Sequence, residues 1–418
     1  MNLTKPLHAL FFIVTTALLG CKNESQQSIV EPVNAVEQID VAYPVNFNRS
    51  SFLFLPPREK PGSYRHAHEI FPSRRIAKGQ YVDRLPYTDT KLKINYQFEG
   101  NSYSMADYFE RNNTTGFLVI KNGSIVYEGY FQGADESSLF TSFSVGKSIV
   151  STLVGLALGD GLITSVNDKL VDYIPHYKNT GYENVTIKQA LQMSSGVDFI
   201  ENYDSKGNHF ARLFENGVVN RTESFSEIMT SLKSRRPPGS LFNYSSGEST
   251  VLSELVHAVT GKHAADYLSE KIWSKIGMES DSFWWVDKDD MAFGAGSLSI
   301  TLRDYARFGL LMLNDGSYED KQILPTGWVK EATTPDAPQV QPGRLYEGYP
   351  LGYQYQWWTF PGGQDHAYSA VGVFGQYVYV NPAENIVIAV TSTWPIAVDL
   401  AKEAETFALF AAIEKALR

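Results

Sequence analysis

The stretch TSFSVGKSIVSTLVGLALGDG, residues 141–161, carries most of what the sequence says about fold and chemistry. Ser142 offers an N-cap. Val145, Ile149, Leu153, Leu156 and Leu158 then make a helix that is apolar almost all round and stops near Gly159-Asp160-Gly161. A helix without a polar face belongs inside a protein. Within it, Ser144 and Lys147 stand at i and i+3, on one face and within reach of each other. A serine hydroxyl becomes an effective nucleophile when a neighbouring base takes its proton. A lysine can be that base once burial or nearby positive charge lowers its pKa toward neutrality, and the positive end of the helix dipole acts in the same sense. Alone, the pair is also what chance supplies, since about one Ser-x-x-Lys is expected in a chain of this length. Here it is the single Ser-x-x-Lys, and its lysine lies in an otherwise nearly uncharged run.

Just upstream, GFLVIKNGSIVYEGYF (116–131) is two β-rich runs joined by Asn122-Gly123, a strong hairpin signal. From about 165 to 290 the segments TIKQALQMSSGV, SFSEIMTSLKSR, STVLSELVHAVTG and AADYLSEKIWSKIG have helical spacing. TLRDYARFGLLMLNDG adds another helix. Strand patterns return in GYQYQWWTF, FGQYVYVNP and NIVIAVTSTW before a closing amphipathic helix, VDLAKEAETFALFAAIEKAL. Strands at both ends of the domain with helices between predict one sheet assembled from N- and C-terminal parts. The expected class is α/β in the broad sense (α+β): a largely antiparallel sheet flanked by helices, plus an all-helical subdomain at about 165–290 and a cleft at their junction.

Two more segments have chemical potential. In PPGSLFNYSSGES (237–249) a Pro-Gly turn presents Tyr244 and Ser246 before a helix. A tyrosine beside a cation can exchange protons as base or acid, its pKa falling from about 10 toward the working range. The same residues also read as a plain helix cap. In YSAVGVFGQYVYVNP (368–382), Gly372 and Gly375 flank the start of an alternating strand, where backbone can approach a ligand and an amide can face a developing oxyanion. An edge strand with a glycine bulge is the alternative.

In this order, with ALQMSSGVDF, RDYARFGLLMLNDG, ILPTGWV and GYQYQWW as context, the segments resemble the serine β-lactamase and penicillin-binding-protein superfamily in its class C β-lactamase-like branch. The resemblance covers about residues 95–418. It implies a class C β-lactamase-like fold, with Ser144 as the acylated nucleophile, Lys147 as its activating partner and Tyr244 as the proton carrier. It also implies an oxyanion hole made by the backbone amides of Ser144 and Val373. Ser246 stands where lactamases have Asn, and Ala370-Val371-Gly372 where they have Lys or His, Thr or Ser, then Gly; His366 and Ser369 are near that place but poorly aligned. Losing the cation that holds a substrate carboxylate argues against β-lactams and peptidoglycan stems. The pattern is closer to the esterases and 6-aminohexanoate-oligomer hydrolases of the branch, in which a second tyrosine contacts the scissile amide; Tyr203 in FIENYDSKGN falls near that place. Trp357 and Trp358 are candidates for the wall of an apolar acyl pocket, with core packing the competing role. The substrate-binding set is thus Tyr203, Ser246, Gly372 and Trp357. The rival readings are a β-lactamase or DD-peptidase, and a non-catalytic binding or sensor protein.

The 418 residues are 43% hydrophobic and 20% charged, ordinary globular composition. A net charge of −10 without a Lys/Arg stripe argues against a nucleic-acid partner. The eight histidines show no metal-binding spacing, and no cofactor is implied. Residues 1–20 read as a secretory signal whose end, Leu18-Leu19-Gly20-Cys21, resembles a bacterial lipobox. Cys21 is the sole cysteine, so the expectation is lipidation there and tethering to a bacterial membrane from the outside; an ordinary signal peptide with an incidental cysteine is the alternative. Residues 21–94 read as a tether and N-terminal extension, 95–418 as the hydrolase domain. Oligomeric state is not legible.

Overall fold

The computed structural model describes residues 43–88, 92–362 and 366–418; the leader and Cys21 lie outside the described residues. Among the described residues seven antiparallel strands form the main sheet. Their spatial order is Gly352–Gln354, Trp357–Thr359, Tyr368–Gly372, Gln376–Asn381, Ile386–Ser392, Thr114–Lys121 and Ser124–Tyr130. The hairpin turns on Asn122 (φ 52°) and Gly123 (φ 78°), the positive angles a two-residue turn requires. Val119 lies opposite Ile388 and Ile120 opposite Val387, so the sheet does join the two ends of the domain.

Alternation along Gln376–Asn381 divides the sheet's two faces. Tyr377 and Tyr379 turn toward the closing helix Leu400–Leu417, with ring centroids 5.9 and 4.9 Å from Phe410. Val378 lies beneath Gly309 of the helix Leu302–Leu313 on the other side. Against that side also packs the buried helix Val145–Gly159 (α1), and against α1 the helix Ser246–Thr260 (α2). Gln356, in the turn between the edge strand Gly352–Gln354 and its neighbour Trp357–Thr359, is 2% exposed and ties these parts together. It receives hydrogen bonds from Ser148 of α1 at its carbonyl and Ser249 of α2 at its side chain, both 2.6 Å, and donates to the carbonyls of Ala190 and Leu191.

A second sheet has the order Ser73–Ile76, Ser282–Trp285, Leu298–Thr301, Leu139–Thr141. Two of its strands depart from the sequence reading. Ser282–Trp285 falls in a region read as helical, and Ser73–Ile76 in the extension, to which only irregular structure was given. Both are four residues long without a clear alternation, because Trp284 and Trp285 are each buried. Phe52 and Phe71 of the extension pack on Trp285 at 5.4 and 4.1 Å, so residues 43–76 share the core.

Candidate active site

Ser144, not Ser142, holds the N-cap position of α1. The cause lies in Phe143, whose φ of 42° no right-handed helix can include. Ser144 makes no capping bond with its side chain, which leaves the hydroxyl free for other partners. Ser142 is instead stitched to the second sheet: its N–H donates to the Leu298 carbonyl at 2.6 Å and its Oγ accepts from the Leu298 amide at 2.8 Å. Two glycines let backbone close in on this segment. A Cβ on Gly372 would meet the Ser142 oxygen at 2.6 Å, and one on Gly296 would meet the Phe143 oxygen at 1.7 Å. Gly372 therefore ends the strand Tyr368–Gly372 where close approach is needed, and Val373-Phe374-Gly375 form the turn into the next strand.

Lys147 is 1% exposed, with its Nζ 2.8 Å from Ser144 Oγ, 2.9 Å from the Ala295 carbonyl and 3.2 Å from Ser246 Oγ. Burial lowers its pKa to about 8, against a smaller upward pull from Glu201. The Nζ also lies 5.0 Å from the centre of the Tyr244 ring. Tyr244 is placed by the segment before it: the Asn243 amide donates to the Met193 carbonyl at 2.7 Å, and the Ser245 amide to the Met193 sulfur. Its ring stacks on Trp358 at 5.6 Å, and its hydroxyl interacts with that of Ser144. The expected fall of its pKa is not found. Burial, reinforced by Glu201, pushes the phenol well above its ordinary value, so it rests protonated.

Glu201 is the residue the sequence reading missed. It accepts from the backbone amide of Ser246, from Ser246 Oγ at 2.9 Å and from the Tyr203 hydroxyl, and so reaches Lys147 through Ser246. The one available signal was its i, i+2 spacing from Tyr203, which puts both on one side of an extended segment. Tyr203 joins Ser144, Ser246 and Val373 in lining a narrow cleft partly open to solvent. Phe143, Phe210, Phe214, Trp285 and Phe293 make its wall, and among the described residues no charged side chain lines it. Neither the Ser144 nor the Val373 amide donates to a carbonyl among the described residues, so both are free to face this cleft. A second, roomier cleft shares Leu53 and Tyr203 with the first. Among the described residues no group of three or more His, Cys, Asp or Glu is placed to hold a metal ion.

With this geometry in hand, comparison with known proteins is specific. A family model described as Beta-lactamase matches residues 106–413. The chain belongs to the beta-lactamase family. Within it, the chain is 27% identical over 294 residues to a 6-aminohexanoate-dimer hydrolase from Paenarthrobacter ureafaciens, covering 68% of this chain and 74% of that one. A solved structure from Bacillus anthracis, provisionally named a 6-aminohexanoate-dimer hydrolase, superposes with a TM-score of 0.79 at 27% identity, over 89% of this chain and 97% of that one. EstCE1, a hydrolase with promiscuous acyltransferase activity, shares the fold at a TM-score of 0.61 and 13% identity, over 74% of this chain and 98% of that one. The protein is thus a serine hydrolase of beta-lactamase fold, similar to 6-aminohexanoate-dimer hydrolase.

In this beta-lactamase-family chain, Trp357 does not wall the cleft. Neighbouring strand residues face opposite sides, and Trp357 points into the core, fully buried, stacked on Phe308 at 6.0 Å and edge-on to Tyr368 at 5.3 Å. Trp358 takes the place beside Tyr244. Nor, among the described residues, does a cation replace the one missing from the final motif. The Ser369 hydroxyl donates to the Ala370 and Val378 carbonyls, and His366 binds the Thr333 carbonyl at 2.6 Å.

Proposed function

We propose that this chain is an esterase or amidase that works through an acyl-enzyme on Ser144, exported and lipid-anchored at Cys21. The observation that carries the reading is the 2.8 Å contact of Ser144 Oγ with a buried, weakened ammonium that also lies 5.0 Å from the ring centre of a protonated tyrosine, Tyr244. In the proposed cycle Lys147, in its neutral form, takes the Ser144 proton as Oγ bonds to the substrate carbonyl carbon. The amides of Ser144 and Val373 bind the oxyanion, and Tyr244 delivers its proton to the departing alcohol or amine; water then attacks the acyl carbon and gives a proton back to Tyr244, while Lys147 returns its proton to Ser144 Oγ as the acid leaves. The uncharged aromatic lining favours a neutral acyl group over the carboxylate-bearing β-lactams and peptidoglycan stems.

A fluorophosphonate probe and a panel of p-nitrophenyl esters, linear amides and a chromogenic cephalosporin test this. The wild type is expected to label at Ser144 and turn over esters or amides, whereas Ser144→Ala loses both at unchanged thermal stability. Rapid cephalosporin hydrolysis without esterase activity would overturn the substrate class, and an unlabelled Ser144 would favour a non-catalytic binding protein. The anchor is tested by metabolic labelling with an alkynyl fatty acid, expected to disappear in Cys21→Ala.

A further inference from the structure

The two proposed oxyanion amides each adjoin a residue held in an unfavourable backbone conformation. Phe143, before Ser144, has φ 42°, and Phe374, after Val373, has φ 63°. Bulky side chains keep such angles where their surroundings impose them. Here much of the surroundings is the short helix Lys60–Arg65 of the N-terminal extension. Tyr64 packs edge-on against Phe143 at 5.1 Å and against Phe374 at 5.5 Å, and the two phenyl rings meet each other at 5.1 Å. One turn earlier, Lys60 places its Nζ 4.4 Å from the centre of the Phe374 ring and donates to the carbonyls of Trp394 and Pro395, both at 2.7 Å. That segment also grips Phe374 directly, through the Phe374 amide to the Ala397 carbonyl and the Trp394 amide to the Phe374 carbonyl.

Lys60 is an expensive way to fasten a helix. It is 1% exposed, and its partners are two carbonyls and a ring, with no carboxylate in contact among the described residues. Burial pushes its pKa down to about 8. A leucine would pack there without desolvating a charge. What the ammonium adds is direction: it draws the Trp394-Pro395 carbonyls and the face of Phe374 toward one point.

We propose that the helix Lys60–Arg65 is a clamp that sets the spacing of the Ser144 and Val373 amides, with Lys60 and Tyr64 as positioning residues for the oxyanion. This rests on the acyl-enzyme reading above. The clamp acts on transition-state binding, because misplacing an oxyanion donor weakens the tetrahedral species more than the bound ester. Tyr64 serves through its ring alone, its hydroxyl being buried without a partner.

The test uses the full chain at pH 7, where Lys60 is charged. Lys60→Met and Tyr64→Ala are each expected to lower kcat about 10- to 100-fold at nearly constant KM, and to weaken a boronic acid inhibitor, which mimics the tetrahedral adduct, by the same factor. Tyr64→Phe should stay within about twofold of wild type, since no hydrogen bond is lost. If Tyr64→Ala does not fold, Tyr64→Leu, which keeps apolar volume without the flat ring, carries the same expectation. Folded variants with unchanged kcat and boronate affinity would overturn the clamp. A wild type that neither hydrolyses esters nor labels at Ser144 would instead overturn the reading beneath it, so the two failures are distinguishable.

Discussion

Lys147 meets the Glu201 carboxylate through the hydroxyl of Ser246, and this indirect contact sets the pH response of the site. The neutral amine is the proposed base, so kcat/KM should rise as pH climbs through about 8, where burial has placed the lysine. A negative Glu201 favours the ammonium and holds that value up. Glu201→Gln keeps an acceptor for Ser246 and Tyr203 but removes the charge, so the rising limb should move to lower pH. A pH–rate profile of both forms checks this, with Lys60→Met as control, because Lys60 titrates in the same range and the limb should survive its loss. Tyr244 and Tyr203 stay protonated across that range, since burial raises both. At this scale the nucleophile and its two neighbours were legible because they are spaced along the chain in a recognisable order. Glu201 was not, because what makes it part of the site is a contact across space. Nor was the side taken by Trp357, which depends on the parity of a strand whose start the sequence leaves open.

Between elements, the distance from Lys147 on α1 to Ser246 on α2 is governed by Gln356, the buried residue bonded to both helices. Gln356→Ala would leave the Ser249 hydroxyl without its acceptor, while the Ala190 and Leu191 carbonyls keep the backbone amides of Met193 and of residue 356. The expected loss is about 1–3 kcal/mol for that one buried unsatisfied group, seen as a lower Tm by calorimetry together with a fall in kcat. The hairpin was readable at this level because Asn-Gly has a local conformational reason to turn. The start of α1 was not, since Phe143 owes its φ to packing by Tyr64 and Phe374. Ser73–Ile76 escaped notice for a similar reason: four residues become a strand only because Ser282–Trp285 lies beside them.

Across the whole molecule, the extension belongs to the core, so removing residues 1–80 should abolish folding. Burial of Phe52, Tyr64 and Phe71 is worth about 3–5 kcal/mol each, and together they rival the roughly 5–15 kcal/mol by which a domain is stable. Size-exclusion and thermal unfolding of the truncated chain should show aggregate and no cooperative transition; a stable monomer would contradict it. The main sheet has a different consequence, one of timing. Beyond its hairpin partner Ser124–Tyr130, Thr114–Lys121 pairs with Ile386–Ser392, so almost the entire polypeptide must leave the ribosome before the central pairing exists. A chain that cannot complete its core early keeps its central pairing open while it is made, a delay that the proposed export would use.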